Sequence, residues 1–207
     1  MYYSKTGEEI KIMGKKIVLA SASPRRREIF TQLGLDFTVC PAVGEEVLHT
    51  TDPGEAVLEL SLQKALEVAA KQGPGTYVVG SDTVVAFDGL ILGKPKDEED
   101  AVSMLKMLSG NTHTVHTGVA VIDTDLGLGK PLVHFEEKTD VTMYPMDEEW
   151  IRAYVATGEP LDKAGAYAVQ GGTMPYLKGI NGEYNTVVGF PAARFYQEML
   201  AVGVRLL

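Results

Sequence analysis

The apolar positions of this chain change period along its length. Short continuous apolar runs give way to stretches in which apolar residues recur at helical spacing, and then return. That alternation predicts strands and amphipathic helices in turn, the pattern of an α/β protein. Residues 17–20 form a first buried strand. Ser23 caps and Pro24 opens a helix whose Ile29, Phe30 and Leu33 point inward before Gly34 stops it. Residues 35–40 read as a second short strand, followed by a polar loop with Glu45, Glu46 and His49. Asp52, Pro53 and Glu55 start a second helix that runs to Gln72, with Leu58, Leu62, Ala65, Leu66 and Ala69 as its core stripe. Lys64 lies on a neighbouring stripe with Val57, Leu60 and Val68, at the margin of the buried face.

Residues 77–87 predict a long strand, turned at Asp88-Gly89 into Leu90-Ile91-Leu92 and then Gly93-Lys94-Pro95. Asp97 caps a helix with Ala101, Met104, Leu105 and Leu108 inward, closed by Gly110. Two long strands follow, at 112–123 and 132–144. His113 and His116 fall on opposite faces of the first, so they share no metal and read as structural histidines. Asp147 caps a helix with Trp150, Ile151, Tyr154 and Val155 inward, and the small residues of 161–172 let backbone or ligand come close. Asn181-Gly182 predicts a hairpin between two last short strands, and Pro191 starts a final helix ending near Gly203. Neither a repeat nor a linker divides the chain. Residues 17–207 therefore read as one domain and residues 1–16 as a loose, flexible extension.

Composition narrows the partners. A chain of 207 residues with 45% hydrophobic and 23% charged residues folds around a sizeable core. Its net charge of −9 argues against nucleic acid and anionic membrane as partners, so any phosphate-bearing ligand needs a local basic pocket. The single cysteine, Cys40, fits a reducing compartment. Residues 1–16 carry no signal-peptide pattern, and no segment reaches the ~18–20 apolar residues of a membrane span, which predicts a cytoplasmic protein.

The chemistry begins where the first strand ends. Ser21, Ser23, Pro24 and Arg25-Arg26-Arg27 gather hydroxyls, backbone N–H groups and guanidiniums at a helix N-terminus, where cations are disfavoured by up to about 1 kcal/mol each unless an anion joins them. Two readings fit that stretch alone, an anion site and a solvated basic turn. Asp82 in the middle of an apolar strand costs several kcal/mol to bury unless it is paired, hydrogen-bonded or metal-bound, which favours a functional role. There is no GxxxxGK[ST] loop and no strand-linked GxGxxG. A haloacid-dehalogenase-type phosphatase fails as well, because Thr83 and Val84 follow Asp82 where that chemistry needs a second aspartate. Leu-Gly-Lys-Pro occurs twice, but only Lys94 has a chemical context; Lys130 tips a polar turn. A buried aspartate, adjacent loop glutamates, Lys64, Lys94 and the basic junction together imply a phosphate-ester or phosphoanhydride hydrolase using a hard divalent ion such as Mg²⁺.

Specific motifs then carry a resemblance. LASASPRRREIFTQLGLDF, Gln63-Lys64-Ala65, VVGSDTVV, ILGKP, LSGNTHTVHTGVAV, YVATGEPLDKAGAYAVQG and INGEYNTVVGFP resemble, in order, the Maf family of nucleoside triphosphate pyrophosphatases. The resemblance implies an inosine-triphosphatase-like α/β fold, with a long, mixed, twisted sheet flanked by helices and two lobes around a central cleft. It implies hydrolysis of a nucleoside triphosphate to the monophosphate and pyrophosphate with a divalent metal, Mg²⁺ or Mn²⁺. On this chain Asp82 matches the general base or metal-linked carboxylate, and Glu45 the metal-side carboxylate, with Glu46 able to take that role. Ser21, Arg26, Lys64 and Lys94 match the phosphate-handling set. Arg25, Thr83 and Gln170 are similar to the branch acting on dTTP and UTP, and Gln170 can both donate to and accept from a pyrimidine edge. A homodimer is implied by the family alone.

The competing reading is a nucleotide-binding regulator, since the family is also associated with inhibition of septum formation. Binding alone needs the basic pocket but not a costly buried aspartate, which favours the enzyme.

Overall fold

The computed structural model describes residues 11, 12 and 14–207, and its elements follow the alternation of periods along the sequence. In chain order they are β1 (Lys11–Ile12), β2 (Lys16–Leu19), α1 (Pro24–Gln32), β3 (Phe37–Val39), α2 (Pro53–Ala69), β4 (Thr76–Phe87), β5 (Leu90–Leu92) and α3 (Glu98–Leu108). After these come β6 (Thr112–Asp123), β7 (Val133–Met143), α4 (Glu148–Val155), β8 (Leu177–Asn181), α5 (Tyr184–Val188), α6 (Ala192–Ala201) and β9 (Val204–Arg205). The predicted extension falls for the most part outside the described residues. Of the remainder, β1 pairs in parallel with β9, and Lys15 bonds Asp123 at 2.5 Å and Asp125 at 2.7 Å.

A seven-stranded mixed sheet runs β3-β2-β4-β6-β7-β8, with β5 also on β4. β2 is parallel to β3 and β4, which α1 and α2 make possible as crossovers, and the other pairs are antiparallel. The helix caps are those the sequence predicts. Ser23, Asp52, Asp97 and Asp147 each accept a backbone N–H from the first turn of their helix.

Two expectations change. The core stripe of α2 is rotated: Ala56, Val57, Leu60, Ser61, Ala65, Val68 and Ala69 are buried, whereas Leu58, Leu62 and Leu66 are only half-buried. The sheet beneath explains this. A Cβ at Gly80 would lie 2.2 Å from the Ser61 carbonyl oxygen and one at Gly118 2.2 Å from that of Val57. The helix therefore sits too close for leucines beneath its axis, and small residues take that face. The second change is at Asn181-Gly182, which makes no hairpin. β8 ends at Asn181, pairs back on β7, and the chain turns into α5. Gly182 (φ +132°) is needed because a Cβ there would meet Thr139 Oγ1 at 2.5 Å.

Alternation along β4 sorts the interior. Val78, Gly80 and Asp82 face α2, while Val79, Ser81, Thr83 and Val85 face the opposite side. On that opposite side lie two apolar cores. One joins Ile17, Leu19, Phe30, Phe190 and Phe195; the other joins Val85, Leu105, Val141, Ile151 and Tyr167. A polar seam separates them: Ser81 Oγ donates to Gly189 O at 3.3 Å, and Thr117 Oγ1 donates to Thr186 O at 2.8 Å. Among the described residues no helix is long and apolar enough to cross a membrane.

The histidines of β6 face opposite sides, as expected. His113 Nε2 meets Tyr167 Oη at 2.8 Å and His116 Nδ1 meets Glu136 Oε1 at 2.5 Å. His113 is 2% exposed, and burial pushes its imidazole down to about 4 from an ordinary 6.5. The folded chain thus keeps His113 neutral while the unfolded chain protonates first as pH falls. The resulting loss of stability sets in below about pH 6.5 and is complete near pH 4, amounting to about 3 kcal/mol. Chemical denaturation between pH 7 and 4 should show a shallower decline for His113→Phe than for wild type, and the ring protons of His113 should titrate near 4.

Candidate active site

β4 is long enough to be bordered on one edge by two different strands with a gap between them. β2 pairs with Thr76 to Val79 and β5 with Val85 to Phe87. Because β6 holds the other edge from Tyr77 to Ala86, β2 and β5 share the same edge, and residues 80–84 have no neighbouring strand there among the described residues. A cleft of about 720 Å³ opens on this gap, the size of a small-molecule site. Its walls are the end of β2 and the start of α1 on one side and β5 with residues 162–170 on the other.

Asp82 projects from the gap toward α2, where Lys64 meets it. Lys64 Nζ forms an ion pair with Asp82 Oδ1 and a second, of 2.9 Å, with Glu46 Oε1. The side chains of Lys64 and Asp82 are 16% and 13% exposed, so the carboxylate is charge-paired rather than solvated. Lys64 lies in register with the buried stripe of α2, which is why it reaches the sheet. Glu46 arrives on the loop before α2, and that loop is fastened along the helix by residues spaced four apart. Glu67 accepts from Val43 N at 3.1 Å and Gly44 N at 3.0 Å, and Gln63 from Val47 N at 3.1 Å. Glu59 accepts from His49 N at 3.0 Å, and Glu55 accepts from the Thr50 hydroxyl at 2.8 Å. Lys71 and those two amides hold the Glu67 carboxyl down at about 2.

Thr83 projects the other way, into the seam. Its hydroxyl accepts from Arg26 Nη2 at 2.9 Å and shares a hydrogen with Thr117 Oγ1 at 2.9 Å. Arg26 also donates from Nη1 to Ser21 Oγ at 3.2 Å and from Nε to Gly189 O at 2.7 Å. Burial pushes this guanidinium down from its usual value, opposed by the attraction of Asp82. Arg27 is exposed, and Arg25 reaches the cleft with Nε on Val188 O at 3.3 Å.

The cleft thus brings together Ser21, Arg25, Arg26, Lys64, Asp82, Thr83, Lys94 and Gln170. It does not bring Glu45, which is exposed and outside the lining, whereas Glu46 is in it. Lys94 stands at the lip and, among the described residues, makes no ion pair; Lys130 lies on the exposed turn after β6, away from the cleft. Asp162 and Lys163, paired to each other, also line the wall and were missed by sequence reasoning. Their Leu-Asp-Lys-Ala segment lies within a motif of the family resemblance, but neither charge is singled out there. No group of three or more His, Cys, Asp or Glu side chains capable of holding a metal occurs among the described residues. The chain offers a cation two carboxylates, Asp82 and Glu46, both now on Lys64.

A family model described as Maf-like protein matches residues 16–202, a span containing every cleft residue named above. The chain belongs to the Maf family. It is 52% identical over 204 residues to the dTTP/UTP pyrophosphatase of Agathobacter rectalis, with 91% of this chain and 98% of that one covered. It is 48% identical over 193 residues to the dTTP/UTP pyrophosphatase of Lachnoclostridium phytofermentans, with 93% and 98% covered. Among solved structures, a HAM1 protein from Coxiella burnetii is 16% identical with a TM-score of 0.46, covering 62% of this chain and 73% of that one.

In this Maf chain the Lys64–Asp82 contact depends on the spacing between α2 and β4. Gly80→Ala would drive a Cβ to 2.2 Å from Ser61 O and 2.7 Å from Ala65 N, backbone atoms of the helical turn that carries Lys64. The substitution should lower stability in denaturant titrations by on the order of 3 kcal/mol.

Proposed function

We propose that this protein hydrolyses dTTP and UTP, and modified pyrimidine nucleoside triphosphates that fit the same cleft, to the monophosphate and pyrophosphate. The observation that carries the reading is Asp82 held by Lys64 on the unpaired stretch of β4, facing the serine and arginine junction after β2. Relatives about half identical to this chain and named for that activity support it.

The donor set fits a divalent metal. Mg²⁺ commonly takes one or two carboxylates and leaves its other positions to water and substrate phosphates, and Asp82 and Glu46 supply that number of hard oxygen groups. Mn²⁺ suits the same oxygens. When bound, such a cation offsets phosphate charge and acidifies water. The remaining work belongs to the chain. Asp82 accepts a proton from the water that attacks the α-phosphorus; the bond to the bridging oxygen breaks and pyrophosphate leaves. Lys94, which makes no ion pair among the described residues, and Ser21 with Arg26 hold the phosphates as charge develops on the leaving group. Lys64, paired with Asp82, holds that carboxylate in place.

Pyrimidine choice falls to Gln170, whose amide can accept from N3–H and donate to O4, and to Arg25, which lines the same cleft. Thr83 acts through Arg26, because its hydroxyl is committed to that guanidinium. The cytoplasm and a homodimer are the expected setting. A purely regulatory nucleotide binder would have no use for the Lys64–Asp82 pair, and no observation favours it.

A panel of nucleoside triphosphates with Mg²⁺ should give pyrophosphate from dTTP and UTP, and Asp82→Asn should lower kcat by at least about 10²-fold. No release by wild type, or an unimpaired Asn variant, defeats the mechanism; a preference for purines defeats only the pyrimidine assignment. Glu46→Gln should raise the Mg²⁺ concentration for half-maximal activity by on the order of tenfold. Glu45→Gln should leave it in place.

A further inference from the structure

The wall of the cleft that carries Gln170 is held by a residue with no role so far. Gln170 sits in a turn tied to itself: Gly171 N donates to Ala168 O at 2.9 Å and Thr173 Oγ1 to the same oxygen at 2.6 Å. The turn is fixed to the core around Val85, Leu105 and Tyr167 by Glu159 and Tyr154. Glu159 Oε1 accepts from Gly172 N at 3.1 Å and from the Tyr154 hydroxyl at 2.9 Å, and Tyr154 Oη accepts from Ala168 N at 3.4 Å. The fit leaves no slack. A Cβ on Gly171 would lie 1.8 Å from Glu159 Oε1, and one on Gly172 would lie 2.7 Å from the Tyr154 ring. The approach to the turn is constrained too, for Ala166, fully buried, holds a left-handed φ of +60°.

A side-chain amide discriminates between base edges only when its own position is fixed to within a few tenths of an ångström. Gln170 is exposed to the cleft, and no hydrogen bond of its amide fixes it among the described residues. Its placement must therefore come from the backbone of the turn. We propose that Glu159 is a positioning residue for pyrimidine selection, gripping Gly172 and Tyr154 so that Gln170 meets the 4-position of the base. The inference rests on the reading of Gln170 as the base-contacting residue. It adds to that reading the Gly-Glu-Pro segment, which the proposed chemistry does not use.

A double-mutant cycle scored on substrate choice tests it. The readout is the ratio of kcat/KM for UTP to that for CTP, which differ only at the 4-position and N3, so that loss of stability alone lowers both and leaves their ratio unchanged. Glu159→Ala, which removes the acceptor oxygen, should lower the ratio by on the order of tenfold in the wild-type background. In a Gln170→Ala background the same substitution should change it by less than about twofold. Tyr154→Phe, which removes only the hydroxyl, should move the ratio in the same direction, and it replaces Glu159→Ala in the cycle if that variant does not melt cooperatively. An unchanged ratio, or an equal fall in both backgrounds, overturns the inference. If Gln170→Ala by itself leaves the ratio at the wild-type value, the reading of Gln170 falls and takes the inference with it. A chain that releases no pyrophosphate from any triphosphate instead defeats the hydrolase reading.

Discussion

The distance between α2 and the sheet is the constraint on which the rest depends. It is set by two residues without side chains, Gly80 on β4 and Gly118 on β6, over which the helix backbone at Val57 and Ser61 rests directly. Gly118 lies opposite Asp82 in the β4–β6 register. The helix is therefore closest to the sheet beside the aspartate, and a lysine one turn beyond Leu60 is delivered onto it. A helix carried on a layer of leucines would stand further off and leave that carboxylate unpaired in an apolar interior, which costs several kcal/mol. Close packing and charge pairing are here one requirement met twice.

The electrostatics of the cleft differ from those of the surface. The protein carries a net −9, yet the cleft gathers Arg25, Arg26, Lys64, Lys94 and Lys163 against Glu46, Asp82 and Asp162. Most of these charges already have a partner: Lys64 between two carboxylates, Lys163 on Asp162, and Arg26 on hydroxyl and carbonyl oxygens. Arg26 is thereby an organiser of the seam between the two cores as well as a source of positive potential. A polyanion entering such a site finds cations held in place beforehand, and the reorganisation it must drive is small.

Much of this was legible in the sequence, because the signals are local. Proline after a capping serine, Asp-Pro before a helix and Asp-Gly between apolar runs depend only on backbone preferences, and all formed as expected. Asp82 stood out because its cost in a strand is intrinsic to the residue. What stayed hidden depends on contacts distant in sequence. The buried face of α2 could not be read from side-chain size, since the glycines that invert the preference lie on other elements. Thr83 was singled out by resemblance, but its contact with Thr117 becomes visible only when register places them side by side. Whether Glu45 or Glu46 turns inward is decided by the side chains of α2 that catch the loop amides, and no local rule supplies that. The family motif containing Asp162 and Lys163 was visible, but its charges were overlooked among its glycines and alanines.

The gap on the edge of β4 has a consequence for the protein's behaviour in a crowded solution. Unpaired strand edges invite addition of a strand from another molecule, the usual route to sheet aggregation. Here the exposed stretch is short, closed at one end by β2 and at the other by β5, and sunk between two walls. An extended peptide cannot lie along it without displacing one of its flanking strands. The chain thus keeps free backbone where a small ligand needs it while denying the same backbone to its neighbours.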